Sequence, residues 1–116
     1  MKSIRLFLFI TFSFAGISLF AQEKTESFSV YGNCGMCKSR IEKAAKAEGA
    51  TAALWSKDTK IMTVTYDASK TSNEVIQKKI ASVGHDTEQF IAPEKVYEKL
   101  PGCCLYERKA DTKKPE

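Results

Sequence analysis

No cysteine occurs before Cys34, and the chain has a single histidine, His85. Charge of one sign is also scarce. The formal net charge of +4 falls to +2 once Lys2 and Arg5 are set aside. So weak and dispersed a balance, without interleaved aromatic and basic residues, excludes nucleic acid as a partner. No apolar run is long. The longest, residues 6–20, falls short of the ~20 residues that span a bilayer. With Lys2 and Arg5 before it and Leu-Phe-Ala at its end, this run predicts a secretory signal peptide over 1–21, cleaved after Ala21. The alternative is an uncleaved anchor. No cysteine stands directly after the cut site, where Gln22 is found, which argues against a lipoprotein. The expected address is exported, and periplasmic in a Gram-negative source.

Four cysteines are present: Cys34, Cys37, Cys103 and Cys104. In an exported chain an even count defaults to disulfides. Adjacent residues such as Cys103 and Cys104 cannot bridge each other without strain, because a disulfide needs a particular Cα separation. Cys34 and Cys37 form a Cys-x-x-Cys pair, Gly-Asn-Cys-Gly-Met-Cys, between a strand-like and a helix-like run. Backbone N–H groups at a helix N-terminus favour thiolates there. Two thiolates at that spacing clamp one soft metal ion or cycle to a disulfide.

Periodicity supplies the frame. Phe28 and Val30 alternate with Ser27 and Ser29 over 26–31, which predicts a strand. Ile41, Ala44 and Ala45 follow helical spacing over 38–48, with Lys38, Arg40, Glu42, Lys43 and Lys46 on the wet face and Gly49 as the stop. Residues 50–55 and 61–66 read as two strands joined by a polar turn. Thr71 and Glu74 have capping-box spacing before a second helix with a stripe of Ile76, Ile80 and Val83 that ends at Gly84. Residues 86–91 are expected as a fourth strand. The order β-α-β-β-α-β predicts an α+β, ferredoxin-like split βαβ sandwich: a four-stranded antiparallel sheet with two helices. A short helical extension is expected over 93–116.

The chain resembles the heavy-metal-associated domain family, which includes copper chaperones, N-terminal modules of metal ATPases and the periplasmic mercury-binding protein. The resemblance covers about 27–92. It rests on Gly-Asn-Cys-Gly-Met-Cys before a helix, on Val-Thr-Tyr-Asp-Ala-Ser-Lys-Thr-Ser, and on Gly84-His85 before the last strand. It implies a domain over 22–92 with a metal held by Cys34 and Cys37. The family motif carries a Met two residues before the first cysteine. Here that position is Gly32, and Met36 is the candidate to supply the missing packing.

Two thiolates suit a soft d¹⁰ ion that accepts two-coordination. Cu(I) fits best and Hg(II) fits well, whereas Zn(II) asks for four ligands. Lys38, directly after Cys37, either offsets the negative site or is simply solvated. A c-type haem site is excluded, because Lys38 stands where its histidine is required. A thiol-disulfide oxidoreductase remains the alternative of another class, but in the expected mature chain only residues 22–31 precede the motif, too few for a thioredoxin-like first half. His85 is expected at the same end of the sheet as the cysteine loop, as a third ligand, as a gate or as a surface residue. Trp55, Phe28 and Tyr66 are assigned to the core or the sheet surface.

Beyond the domain, Pro93 should open a helix whose Val96, Tyr97 and Leu100 face inward, with Pro101-Gly102 ending it. Cys103 and Cys104 then either return to Cys34 and Cys37 as further metal ligands or point into solvent while the tail packs on the open sheet face. The functional expectation is a non-enzymatic, monomeric metallochaperone for Cu(I), with Hg(II) or another soft divalent ion as alternative cargo. Its partner is expected to be a metal-transporting membrane protein or another metal-binding domain.

Overall fold

The computed structural model describes residues 22–108. The signal-peptide expectation lies outside the described residues, as does the tail after Arg108. Three strands, β1 (Glu23–Ser29), β2 (Ala50–Trp55) and β3 (Ile61–Asp67), form an antiparallel sheet in the order β1-β3-β2. Two helices, α1 (Gly35–Ala47) and α2 (Asn73–Ser82), pack on it, and a short α3 (Glu94–Glu98) and a 3-10 turn (Gly102–Cys104) follow. No helix among the described residues is long and apolar enough to cross a membrane.

Alternation decides the faces. Phe28, Val30, Trp55, Met62, Val64 and Tyr66 point inward, where they meet Cys37, Ile41, Ala44 and Ala45 of α1 and Ile76 and Ile80 of α2. The outward face carries the exposed apolar residues Leu54 and Ile61 beside polar ones, and hydroxyls pair across the strands: Thr25 with Thr65 at 3.0 Å and Ser27 with Thr63 at 3.1 Å. Cross-strand pairs of this kind contribute a few tenths of a kcal/mol, about 0.2–1 each. Gly84 ends α2 at φ 114°, a left-handed conformation that favours glycine. A Cβ there would also stand 2.8 Å from Leu100, so the tail closes against this glycine.

Two expectations need correction. The cap of α2 is Ser72, one residue later than the Thr71 box implies; its hydroxyl accepts the Val75 N–H at 3.2 Å. Thr71 instead packs near Gly49, and its hydroxyl is buried without a hydrogen-bond partner. The expected fourth strand is reduced to one bridge, Val30 with Thr87, flanked by Tyr31 N–H to Asp86 O and Glu88 N–H to Ser29 O, both 2.9 Å. Other partners claim the remaining donors. The Thr87 N–H turns back to Phe90 O at 2.8 Å, Gln89 N–H goes to the Gln77 side chain at 3.0 Å, and Ala92 N–H goes to the Asp86 carboxylate at 2.7 Å. A ladder cannot propagate when its N–H groups are already satisfied.

Candidate metal centre

Cys34 is the N-cap of α1 and holds an extended backbone (φ −125°, ψ 177°). Its carbonyl accepts the Lys38 N–H at 3.0 Å, the first helical bond. That geometry places Cys37 in the first turn, fully buried, with its sulfur accepting the Asn33 N–H at 3.3 Å. The side chain reaches back to a backbone donor in front of the helix, as a capping box does.

The loop before the helix is packed from below. A Cβ on Gly32 would lie 3.0 Å from Cys37 Cβ, 3.2 Å from the Trp55 ring and 3.3 Å from Ile41. Trp55, buried and donating its indole N–H to Val30 O at 2.8 Å, fills the space beneath the loop. Met36 does not replace the missing methionine. It is 53% exposed, and its sulfur faces Cys103 Sγ at 3.7 Å. Lys60 ties the loop down from the β2–β3 turn, with Nζ donating to Gly32 O at 2.6 Å.

The tail carries its two cysteines to this loop. Cys34 and Cys103 are joined as a disulfide, with Cα atoms 6.0 Å apart, whereas Cys37 and Cys104 are free thiols. Cys34 Sγ is 3.4 Å from Cys37 Sγ and 3.3 Å from Cys104 Sγ, and Cys103 Sγ is 3.9 Å from Cys104 Sγ. The sulfurs of Cys34, Cys37 and Cys104 all lie within 4.8 Å of one another. Thiolate sulfurs are the donors that soft d¹⁰ ions prefer, so once the Cys34–Cys103 disulfide is reduced the donor set fits such cargo. Burial, then the neighbouring Cys37, pushes the Cys104 thiol above its ordinary value, while Arg40 Nη1, 3.4 Å from its sulfur, opposes that.

His85 is fully buried and is not among the clustered donors. Its Nδ1 is 2.9 Å from the Tyr31 carbonyl, which can only accept, so Nδ1 carries the proton and Nε2 is left without a partner. Burial lowers its pKa to about 4; Arg40 acts in the same direction, while the Tyr31 carbonyl and Asp86 pull upward. The imidazole also stacks on Tyr106 at 5.6 Å. His85 therefore links the cysteine loop to the tail.

Several residues of the site escaped the sequence reading. Arg40, assigned to a wet helix face, is the cation that reaches sulfur; its i+3 spacing from Cys37 was the available signal. Lys38 points elsewhere, pairing with Glu42 and donating to Trp55 O at 3.1 Å. Nothing local marks Tyr106 or Arg108. Tyr106 is buried, donates its hydroxyl to Gly84 O and accepts the Asp86 N–H, both at 2.8 Å. Arg108 pairs with Asp86 through Nη2 at 2.6 Å and Nε at 2.9 Å, and donates to Ala92 O at 2.8 Å and Glu94 at 3.0 Å. Both charged partners of the Arg108–Asp86 pair are 3% exposed.

Solved structures resemble part of this chain. The chain is similar to a CopZ metallochaperone at 32% identity, covering 55% of this chain and 98% of that one with a TM-score of 0.53. It is similar to oxidized MerP from Ralstonia metallidurans CH34 at 31% identity, over 57% and 94% of the two chains, TM-score 0.53. It also matches the water-soluble region of the P-type ATPase CopA from Bacillus subtilis at 32% identity, over 60% of this chain and 47% of that one, TM-score 0.55. No protein-family model and no curated protein matches the sequence.

Proposed function

The chain belongs to the heavy-metal-associated domain family, and from that premise we propose that it is an exported metallochaperone that carries Cu(I) on Cys34 and Cys37. Its relatives are metallochaperone and metal-binding domains, and like them it is not an enzyme. The observation that carries the reading is the cluster of cysteine sulfurs within 4.8 Å at the α1 N-terminus. Cu(I) passes on by thiolate exchange: a sulfur of the partner binds before a sulfur of the donor leaves, so free ion is never released. The partner is a metal-transporting membrane protein or another metal-binding domain, a reading supported by the likeness to the soluble region of CopA. Export rests on the basic start and apolar run of residues 1–21, and the working unit is a monomer.

Hg(II) is the second reading. The same donors suit it, and the likeness to MerP favours it. Metal content of protein purified anaerobically from its native compartment separates the two cargoes.

Reduced protein should take up one Cu(I) in competition with a strong chelator, and Cys34→Ser or Cys37→Ser should abolish uptake. The Cys34–Cys103 disulfide removes a ligand, so the oxidised protein should bind far more weakly. Insulin reduction without Cu(I) uptake would replace carriage with disulfide chemistry.

A further inference from the structure

We propose that Cys104 is a third thiolate ligand supplied from within the chain. The reduced site then takes a thiophilic d¹⁰ cation in three-coordinate, all-sulfur form, and the segment over 102–108 competes for it with any incoming thiolate. This inference rests on carriage by Cys34 and Cys37 and extends it to a residue outside their loop.

The two tail cysteines occupy different surroundings. Cys103 is exposed, whereas Cys104 is fully buried, with its sulfur 3.3 Å from Cys34 Sγ and inside the 4.8 Å cluster with Cys37. A thiol is a weak acceptor, yet a guanidinium N–H of Arg40 is aimed at Cys104 Sγ at 3.4 Å. That donor gains its full strength against a thiolate. It also supplies positive charge where a third anionic sulfur would add negative charge.

The position of Cys104 is fixed from both sides. Its N–H donates to Pro101 O and its carbonyl accepts the Tyr106 N–H, each at 2.8 Å. Tyr106 and Arg108 then anchor the following residues to Gly84 and Asp86. A ligand held this firmly loses little freedom when metal binds.

The chemistry balances. A phosphine or dithiol supplies two electrons and, with solvent, two protons to the Cys34–Cys103 disulfide, freeing both thiols while the reductant is oxidised. Metal binding then releases the thiol protons of Cys34, Cys37 and Cys104 to solvent, with no change in the oxidation state of the metal. On hand-over, a bond from the partner's thiolate to the metal forms as the bond from Cys104 breaks, and Cys104 regains a proton.

The test loads anaerobic, phosphine-reduced protein with one equivalent of Cu(I) and counts sulfur neighbours by X-ray absorption. Three sulfurs are expected in wild type and in Cys103→Ser, and two in Cys104→Ser, with about a tenfold loss of affinity against a chelator in the last. Two sulfurs in wild type, three in Cys104→Ser or two in Cys103→Ser would each overturn the assignment. The wild-type count decides the matter even if a variant does not fold. Failure of wild type to take up Cu(I) at all would instead remove the carriage reading beneath it.

Discussion

The two cysteine pairs of this chain reach the same point by different means. Cys34 and Cys37 are placed by local structure: an extended N-cap, the first turn of α1, and Trp55 filling the space under Gly32. Cys103 and Cys104 come from a segment with one 3-10 turn, and long-range polar contacts of Tyr106 and Arg108 hold it. Each pair nevertheless has the same design, one buried thiol and one more accessible sulfur. The accessible sulfurs, Cys34 and Cys103, are bonded to each other, and the buried ones, Cys37 and Cys104, stay free. Secondary structure positions the first pair and a buried ion pair positions the second. Once the Cys34–Cys103 disulfide is reduced, they should therefore fail independently.

Breaking the tail alone should have the largest effect. Arg108→Ala leaves the Asp86 carboxylate buried without its cation, and losing one partner of such a pair costs about 3 kcal/mol. Urea unfolding should register this loss. Alkylation under native, reducing conditions should label Cys104 much faster, while Cys37 stays protected. Equal acceleration at both thiols would mean that the two pairs are not separate.

His85 touches both regions, so its titration should weaken both. Its folded-state pKa of about 4 lies below the ordinary 6.5. The unfolded chain therefore takes up a proton that the folded chain refuses. Stability is fully present above about pH 6.5 and falls as pH drops toward 4, by up to about 3 kcal/mol. Carboxylates with lowered values, such as Glu26 and Asp67, slope the same way, so the measurement is a difference. His85→Phe should flatten the pH profile of stability between 6.5 and 4 relative to wild type, and an unchanged slope would assign the effect to the carboxylates.

The smallest effect should come from the loop. Gly32→Ala puts a Cβ 3.0 Å from Cys37 Cβ and 3.2 Å from Trp55, and overpacking of this kind costs about 1–2 kcal/mol. Gly35→Ala, whose Cβ would meet nothing within 4 Å, is the control and should leave the melting temperature unchanged or slightly raised. Equal losses in the two variants would show that the space beneath Gly32 is not what fixes the loop.

Elements built from local pattern were readable in the sequence. The alternation in 61–66 and the stripe of Ile76 and Ile80 correspond to β3 and α2, and both glycine stops fall where expected. Residues 86–91 have strand-like composition, but their backbone donors are taken by Gln77, by the Tyr106 hydroxyl and by a turn closing at Phe90. Gln77 and Tyr106 lie outside the segment and are not visible from it. Arg108 shows the same limit from the other side. It opens a charged run that reads as solvated, and only the fold reveals a carboxylate waiting in the interior. The Cys34–Cys37 motif was legible because its spacing is its geometry. The pairing of Cys34 with Cys103 spans 69 residues, and spacing carries no information at that range.

The lost fourth strand has a further consequence. Since only Val30 bridges to Thr87, the outer edge of β1 runs from Glu23 to Phe28 without a neighbouring strand among the described residues. Such an edge is a template on which another chain can add a strand and begin to aggregate. Glu23, Lys24 and Glu26 lie along it, and ionised side chains at this density make self-association in register costly. An edge guarded by charge rather than covered by backbone depends on ionic strength, so this protein's solubility is the property that concentrated salt should test first.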